Sequence, residues 1–466
     1  MKHHLFRQIA LWVLGLASLF PYLVALRLQD LRLHTKEFLV IYSIALLLYA
    51  CASLLALRVE SVSRRELTAI FVLAIIIQGI LIFTPPTLSD DMYRYVWDGR
   101  VQAQGISPYQ YPPEATELAF MRDAEIYPSI NRKDAVTIYP PAAEAAYALL
   151  WRIRPDNVRW FQIASATGGL LAGAFLIGLL RDLGRPTSRL MIYLWSPLLA
   201  FETAHGAHLD GLVLPFLVAA WWARVRQRDS WVGILLGIAT AMKLYPIVLL
   251  PVLWRSRHLR GRWQMPLAFG ITLGIFYFPF TLMSAGQVLG YLPKYFRENF
   301  NIGPLVSSLD QFLNWLGLDT PNNLLFIIFF VLIIVFGWVI IKPAPDAETA
   351  LRRCIWPIGA ITLLSQNLFS WYLLWLLPLV AIFLQPSDKR FGIVSLPRAD
   401  AWTGWWLFCG LVGFSYAFFI RWKIVEAAIL AQFLPLYAFL LMGLLCFLWQ
   451  TCAQPLKSAI TRLRST

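Results

Sequence analysis

The side chains best placed to do chemistry lie in Ser89-Asp90-Asp91-Met92-Tyr93-Arg94-Tyr95-Val96-Trp97-Asp98-Gly99-Arg100, directly after a long apolar run closed by Thr84-Pro85-Pro86. Two adjacent carboxylates at a membrane edge are costly unless something uses them, and their repulsion favours uptake of one proton. Asp90 and Asp91 are therefore candidates for a general base, with Arg94 as a neighbouring cation. A second group is Glu202-Thr203-Ala204-His205-Gly206-Ala207-His208-Leu209-Asp210-Gly211. Its two histidines and two acids, Glu202, His205, His208 and Asp210, could ligate a divalent metal, donate to a phosphate or orient a sugar. The histidine spacing puts both on one face only if a helix continues through Gly206, and structural hydrogen bonding suits either equally well. Lys243 in Lys243-Leu244-Tyr245-Pro246, Lys294 and Arg297 in Lys294-Tyr295-Phe296-Arg297, and the pair Trp371-Tyr372 complete the set. The cations could hold a phosphate arriving from lipid. The aromatic pair could stack on a sugar or a prenyl chain, with interface anchoring the simpler reading.

These residues must be positioned by membrane helices. Of 466 residues 59% are hydrophobic and 14% charged, with mean hydropathy +0.61, against roughly 25% charged in soluble domains. Apolar runs long enough to span recur from Ile9–Leu26 to Ala427–Trp449. The first reads as an uncleaved span rather than a signal peptide, because more spans follow at once. No separate soluble domain remains, so the whole chain, 1–466, is one unit. The longest polar stretches are loops at 85–138 and 284–321.

Net charge is +14, and its distribution argues for lipid rather than nucleic acid. Basic residues cluster in short loops: Arg224, Arg226 and Arg228; Arg255, Arg257, Arg260 and Arg262; Arg352 and Arg353; Lys457, Arg462 and Arg464. This positive-inside pattern puts those loops and both termini in the cytoplasm of a plasma (inner) membrane. The stretch 85–138 holds eight acids against five bases, and three spans from a cytoplasmic N-terminus also place it outside. The basic loops at 224–228 and 255–262 share one side, so Trp231–Trp254 reads as a hairpin turning near Lys243, not a single span with a snorkelling lysine. Tyr139–Trp151 reads as a half-inserted helix that never crosses. The expected fold is all-α and polytopic, with about twelve to fourteen membrane helices and a large extracytoplasmic loop carrying interfacial helices. The alternation of Tyr93, Tyr95 and Trp97 with charge suits one such helix, and the loop as a whole reads as a structured cap over a membrane cavity.

The five cysteines lie in or beside apolar runs with no CxxC, which makes disulfide and zinc readings weak. The absence of a phosphate-binding glycine loop argues against an ATP-driven pump.

Taken together, Ser89–Arg100, Gly105–Tyr109, Tyr139–Pro141, His205–Gly211, Lys243–Pro246 and Trp371–Tyr372 resemble the glycosyltransferase C superfamily, nearest to bacterial polyprenol-phosphate-mannose-dependent mannosyltransferases. The resemblance implies a polyprenyl-phosphate-linked sugar donor, a glycolipid, polysaccharide or protein acceptor, and a catalytic base in the first large outer loop, here Asp90 or Asp91. Two spans more than usual precede that loop, an even number that leaves its side unchanged. Tyr139, Tyr245, Trp371 and Tyr372 then belong to the substrate wall. One base suffices for a single inverting displacement, with Lys243, Arg297 and His208 as candidates to stabilise the leaving phosphate. No cofactor is required, though a divalent metal is compatible. A lipid-linked saccharide flippase or transporter would line its spans with charge near the midplane, and a non-enzymatic envelope-assembly scaffold would not need the acids.

Overall fold

A computed structural model describes residues 2–254, 263–295, 298, 303–318, 320–341, 344–365, 367–420, 432–443 and 445. The expected span Ala427–Trp449 is therefore seen only in part, and the basic clusters Arg255–Arg262 and Lys457–Arg464 lie outside the described residues, as does Arg297. The chain is all-α, and the described residues add one short antiparallel hairpin, in keeping with its recurring apolar runs.

Among the described residues six helices are long and apolar enough to cross a membrane. Three come first. Helices α1 (Lys2–Ala17) and α2 (Leu19–Leu28) make one pass, α3 (Thr35–Arg58) returns, and α4 (Arg64–Ile82) starts on a capping box between Ser63 and Glu66. Arg7 pairs with Glu66 at 2.9 Å at one end of these helices. At the other end the Leu31 N–H donates to Thr87 Oγ1 and Arg32 pairs with Asp90. The polar loop thus leaves from the end opposite the N-terminus, called here the site end.

Helix α5 (Asp91–Ala103) opens that loop and α6 (Pro141–Ile153) closes it. The helix expected to lie at the lipid surface forms but is covered by protein. Met92, Tyr95, Val96, Trp97 and Val101 pack against Leu118, Ile126 and Ile130 of the loop and against Ala143 and Tyr147 of α6. Arg100 and the Trp151 indole both bond Asp156, and Arg159 lies over Phe83. Helix α6 therefore stays at the site end without crossing, as its sequence suggested, and keeps Arg152, Arg154 and Arg159 there.

Helix α7 (Val158–Asp182) crosses away from the site end and α10 (Asp210–Val225) runs parallel to it. Ser165 bonds the His208 carbonyl at one end, and Asp182 accepts from Trp222 and Arg226 at the other. The two helices touch at Gly168 and Gly211, where a Cβ on Gly168 would sit 2.2 Å from the Gly211 carbonyl oxygen, so only glycine fits. Parallel neighbours need a return, made by α8 (Leu190–Leu194), α9 (Pro197–Leu199) and a π-helical turn over Ala200–His205. This pass is too broken to read from hydropathy.

Helix α11 (Asp229–Met242) packs in parallel on α13 (Gln264–Met283): Gly233 meets Met265 and Phe269, and Gly237 meets Thr272. Between them the chain turns at Lys243-Leu244 and descends through a 3₁₀ turn (Tyr245–Leu249) and α12 (Leu250–Trp254). This is the expected hairpin, with Leu249, Val252 and Leu253 of its second arm buried in the main core.

Helices α14 (Leu292–Tyr295) and α15 (Pro304–Trp315) occupy the second loop, followed by α16 (Thr320–Ile341) and α17 (Ala347–Arg353), where Arg185 pairs with Glu348 at the far end. Helix α18 (Ile355–Leu364) returns to the site end. A 3₁₀ segment (Ser370–Trp375) and α19 (Leu377–Phe383) descend to strands β1 (Pro386–Phe391) and β2 (Val394–Pro397). Finally α20 (Ala401–Leu411), a 3₁₀ segment (Val412–Phe419) and α21 (Gln432–Gly443) complete the described chain. Several passes are thus made by short pieces rather than by one long helix each.

Impermeant maleimide labelling of single cysteines in sealed vesicles checks this parity. Cysteines at Glu117 and Arg154 should label from the same face, and one at Arg181 only from the other. Labelling of Arg154 and Arg181 positions from one face refutes a non-crossing α6.

Candidate active site

A cavity of about 490 Å³ opens at the site end between the two large loops. The carboxylate pair lies on its wall, and the fold treats the two acids differently. Asp90 sits just before α5 without capping it, and its carboxylate takes Arg32 Nη2 at 2.8 Å. Arg32 is itself held by the Thr87 carbonyl and by the Phe419 ring beneath it. Asp91 begins the helix. Asn131 donates to it at 2.7 Å, and His208 Nδ1 lies 3.7 Å away. The Asp91 side chain is 21% exposed against 41% for Asp90. Burial lifts the Asp91 carboxyl to about 6, with Asn131 and Lys243 opposing and the charges of Asp90 and Asp210 adding.

Arg94, expected as a substrate cation, touches the cavity mainly as a tie. Its Nε binds both oxygens of Asp98 at 2.8 and 3.0 Å, and Nη1 donates to the Ala135 carbonyl. The Asp98 pair lies within α5, and the Ala135 bond fastens the helix to the loop segment that carries Asn131. Tyr139 serves the same packing: its carbonyl accepts from Tyr109, and its ring meets Tyr95 and Tyr147 edge-on, at the cavity wall.

The two histidines part company. The π-turn ends at His205, and Ala207 adopts a left-handed φ of 54°, so no helix joins them. His205 is fully buried away from the cavity, and its Nε2 accepts the Leu88 N–H at 3.4 Å. Neither histidine is among the residues that line the cavity. His208 stacks on Trp371 at 3.8 Å and lies between Asp91 and Glu202, the latter 3.3 Å from Nε2. Glu202 also accepts from the Tyr416 hydroxyl at 3.0 Å.

Lys243 and Asp210 form an ion pair. The hairpin turn delivers Nζ to both Asp210 oxygens, at 2.9 and 2.7 Å, over the Tyr372 ring at 4.5 Å. Asp210 is 1% exposed and Lys243 16%, so the lysine keeps an edge on the cavity. Tyr245 packs edge-on against Tyr372 and Trp375. Trp371 has Phe369 stacked on it at 4.6 Å as well as His208, which leaves it no free face for a sugar; it orders the wall instead. The Tyr372 hydroxyl meets that of Tyr295, 2.9 Å away, from the second loop. Lys294 in that loop is exposed and is not among the lining residues.

Sequence reading missed Arg32, Asn131 and Tyr416, quoted Tyr295 without a role, and took Glu202 only together with its neighbours as a ligand group. Arg32 follows the first pass and Tyr416 sits 214 residues from Glu202; no spacing rule links such positions. Among the described residues no group of three or more His, Cys, Asp or Glu is placed to hold a metal ion. Asp210, near Asp91 and His208, already carries the Lys243 ammonium on both its oxygens.

The arrangement offers a carboxylate able to accept a proton near neutral pH, cations around it, and an aromatic wall. A family model described as "Alpha-(1->6)-mannopyranosyltransferase, N-terminal domain" matches residues 9–256, which contain the carboxylate pair, the histidine turn and the lysine hairpin. No curated protein and no solved structure matches the chain. More than half of the sequence falls within that one family model, and so the chain belongs to the MptA_B family and is a membrane mannosyltransferase of the glycosyltransferase C type.

Proposed function

We propose that the protein transfers mannose from a polyprenyl-phosphate donor to an acceptor hydroxyl, with inversion, at the extracytoplasmic face of the plasma membrane. The acceptor is a saccharide on a glycolipid, polysaccharide or protein. Asp91 is the general base. The observation that carries the assignment is the unequal setting of the two acids: Arg32 occupies Asp90, whereas Asp91 faces the cavity beside His208 with its proton affinity raised. A base is most effective with a pKa near the working pH.

In this reading the acceptor O–H gives its proton to Asp91 while its oxygen attacks the anomeric carbon and the phosphate departs on the opposite face. Lys243 and Arg132 line the cavity and provide a positive field for the developing phosphate charge, although each is also paired, with Asp210 and Glu298. Sidedness rests on charge: Arg181, Arg185, Arg352 and Arg353 gather at the far end, and the acid-rich loop at the site end. The family's linkage adds a stereochemical constraint, since an inverting enzyme makes an α-mannoside only from a β-linked donor.

Purified full-length protein with synthetic prenyl-phosphate mannose and a mannoside acceptor tests this directly. Asp91→Asn should lower kcat by about 100- to 10,000-fold, the usual scale for losing a general base, and Asp90→Asn should cost far less; the reverse ranking gives the base to Asp90. In the native protein, kcat/KM should fall as pH drops through about 6, because Asp91 must be ionised to accept a proton. A flat profile from pH 5 to 8 counts against Asp91. NMR of the products should show the α anomer from the β-linked donor and none from its α-linked epimer; retention overturns the single-displacement mechanism.

A further inference from the structure

Helices α5 and α6 meet on a second pair of acids that the proposed reaction does not use. Asp98 of α5 and Glu144 of α6 are 1% and 0% exposed, and neither lines the cavity. Arg94, itself buried, holds both Asp98 oxygens and is the cation that faces the two acids. Tyr109 of the first loop and Tyr147 of α6 also face both. Tyr95 and Asp91 of α5 adjoin Tyr147, and Tyr277 of α13 adjoins Tyr109. Two carboxylates and one guanidinium sealed from water leave one negative charge unbalanced. A buried acid in that position keeps its proton rather than its charge.

Hydrogen bonding assigns the proton. Asp98, with the guanidinium on both oxygens, is the ionised partner. Gln102 Nε2 lies against the backbone carbonyls of Asp98 and Glu144, so it is a donor there. Its third contact is Glu144 Oε2 at 2.9 Å, which makes that oxygen an acceptor. The proton belongs on Oε1, 2.6 Å from Thr137 Oγ1. Thr137 in turn faces Asp98. Burial first, and the Asp98 charge second, raise the proton affinity of Glu144 well above that of an ordinary glutamate.

We infer that Glu144 is a positioning residue that works in its neutral form, its proton closing α5, α6 and the loop segment at Thr137 into one frame around Asp91. Each member of the frame reaches the cavity. Helix α5 begins with Asp91. The loop segment carries Asn131, which donates to Asp91, and the Thr137 carbonyl takes the Tyr291 N–H from the second loop at 3.0 Å. Ionising Glu144 would set a second buried negative charge against Asp98 at the seam and move the base together with its hydrogen-bond partner. The unfolded chain ionises Glu144 at an ordinary acid strength. Stability therefore falls as pH rises from about 5, and goes on falling until Glu144 ionises in the folded protein.

The catalytic consequence rests on Asp91 being the base; the protonated frame does not, and the experiment separates them. Glu144→Gln puts an N–H where the proton is and keeps an oxygen for Gln102. In purified full-length protein, thermal inactivation should show the variant gaining on the native form from about pH 5 to 9. The native-minus-variant infrared spectrum at neutral pH should contain the C=O band of a protonated carboxyl. The alkaline limb of kcat/KM should move up in the variant by about one pH unit or more, while the acidic limb set by Asp91 stays in place. A stability difference that is flat with pH, or no carboxyl band lost on substitution, shows an ionised Glu144 and overturns the inference. So does a variant that folds at no pH, because an amide replaces a neutral acid at this position without loss of a donor. An unmoved alkaline limb overturns the positioning role and leaves Glu144 a stabilising residue only. Full activity of Asp91→Asn removes the base assignment and leaves the infrared and stability results as they were, so the two failures are told apart.

Discussion

The salt bridge between Lys243 and Asp210 is the contact on which the site depends. A lysine in mid-hairpin and an aspartate at the start of a membrane helix are each costly to bury alone. Together they satisfy one another, and the pair fixes the hairpin turn against the N-terminal end of α10. That placement brings Tyr245 to the wall formed by Tyr372 and Trp375 and puts a cation beside Asp91. Removing one partner of such a buried pair typically costs about 3–5 kcal/mol, because the other charge is left uncompensated. The same pairing tempers the lysine as a phosphate ligand, since Asp210 already holds its ammonium with both oxygens.

Other cations at the cavity follow that rule. Arg32 has Asp90, Arg94 has Asp98 and Arg132 has Glu298. The consequence is selective. Where a cation takes one acid of the adjacent pair, the other is left facing the cavity, and burial without an arginine raises its proton affinity. Two chemically identical neighbours thereby gain different properties from the turn at Arg32, 58 residues earlier in sequence.

Backbone irregularity is concentrated around the same cavity. The π-turn ending at His205, the break at Lys243-Leu244 and the 3₁₀ segments at Ser370–Trp375 and Val412–Phe419 all sit beside it. Non-helical backbone at membrane depth is tolerated only where protein or a cavity satisfies it. Here it is satisfied by side chains: Gln162 donates to the carbonyls of Ala204 and His205, and Ser165 to that of His208. The long helices far from the cavity, such as α16, carry no such breaks.

Hydropathy and charge by themselves determined the membrane class, the hairpin around Lys243 and the non-crossing helix before α7, because transfer into lipid is additive along the chain and each span must end on the correct side. The Asp90-Asp91 pair stood out for a similar reason: adjacent acids at a membrane edge are costly unless something uses them. Local sequence did not determine the pass through α8, α9 and the π-turn, which is too broken for a periodicity signal. Nor did it separate His205 from His208: whether a helix continues through Gly206 was left open, and the left-handed Ala207 ends it. The hydrogen bond from Asn131 to Asp91, the approach of His208 to it and the pairing of Asp90 with Arg32 were decided only by tertiary packing. Proton affinity depends on burial and on charges a few ångströms away, and neither quantity is a function of distance along the sequence.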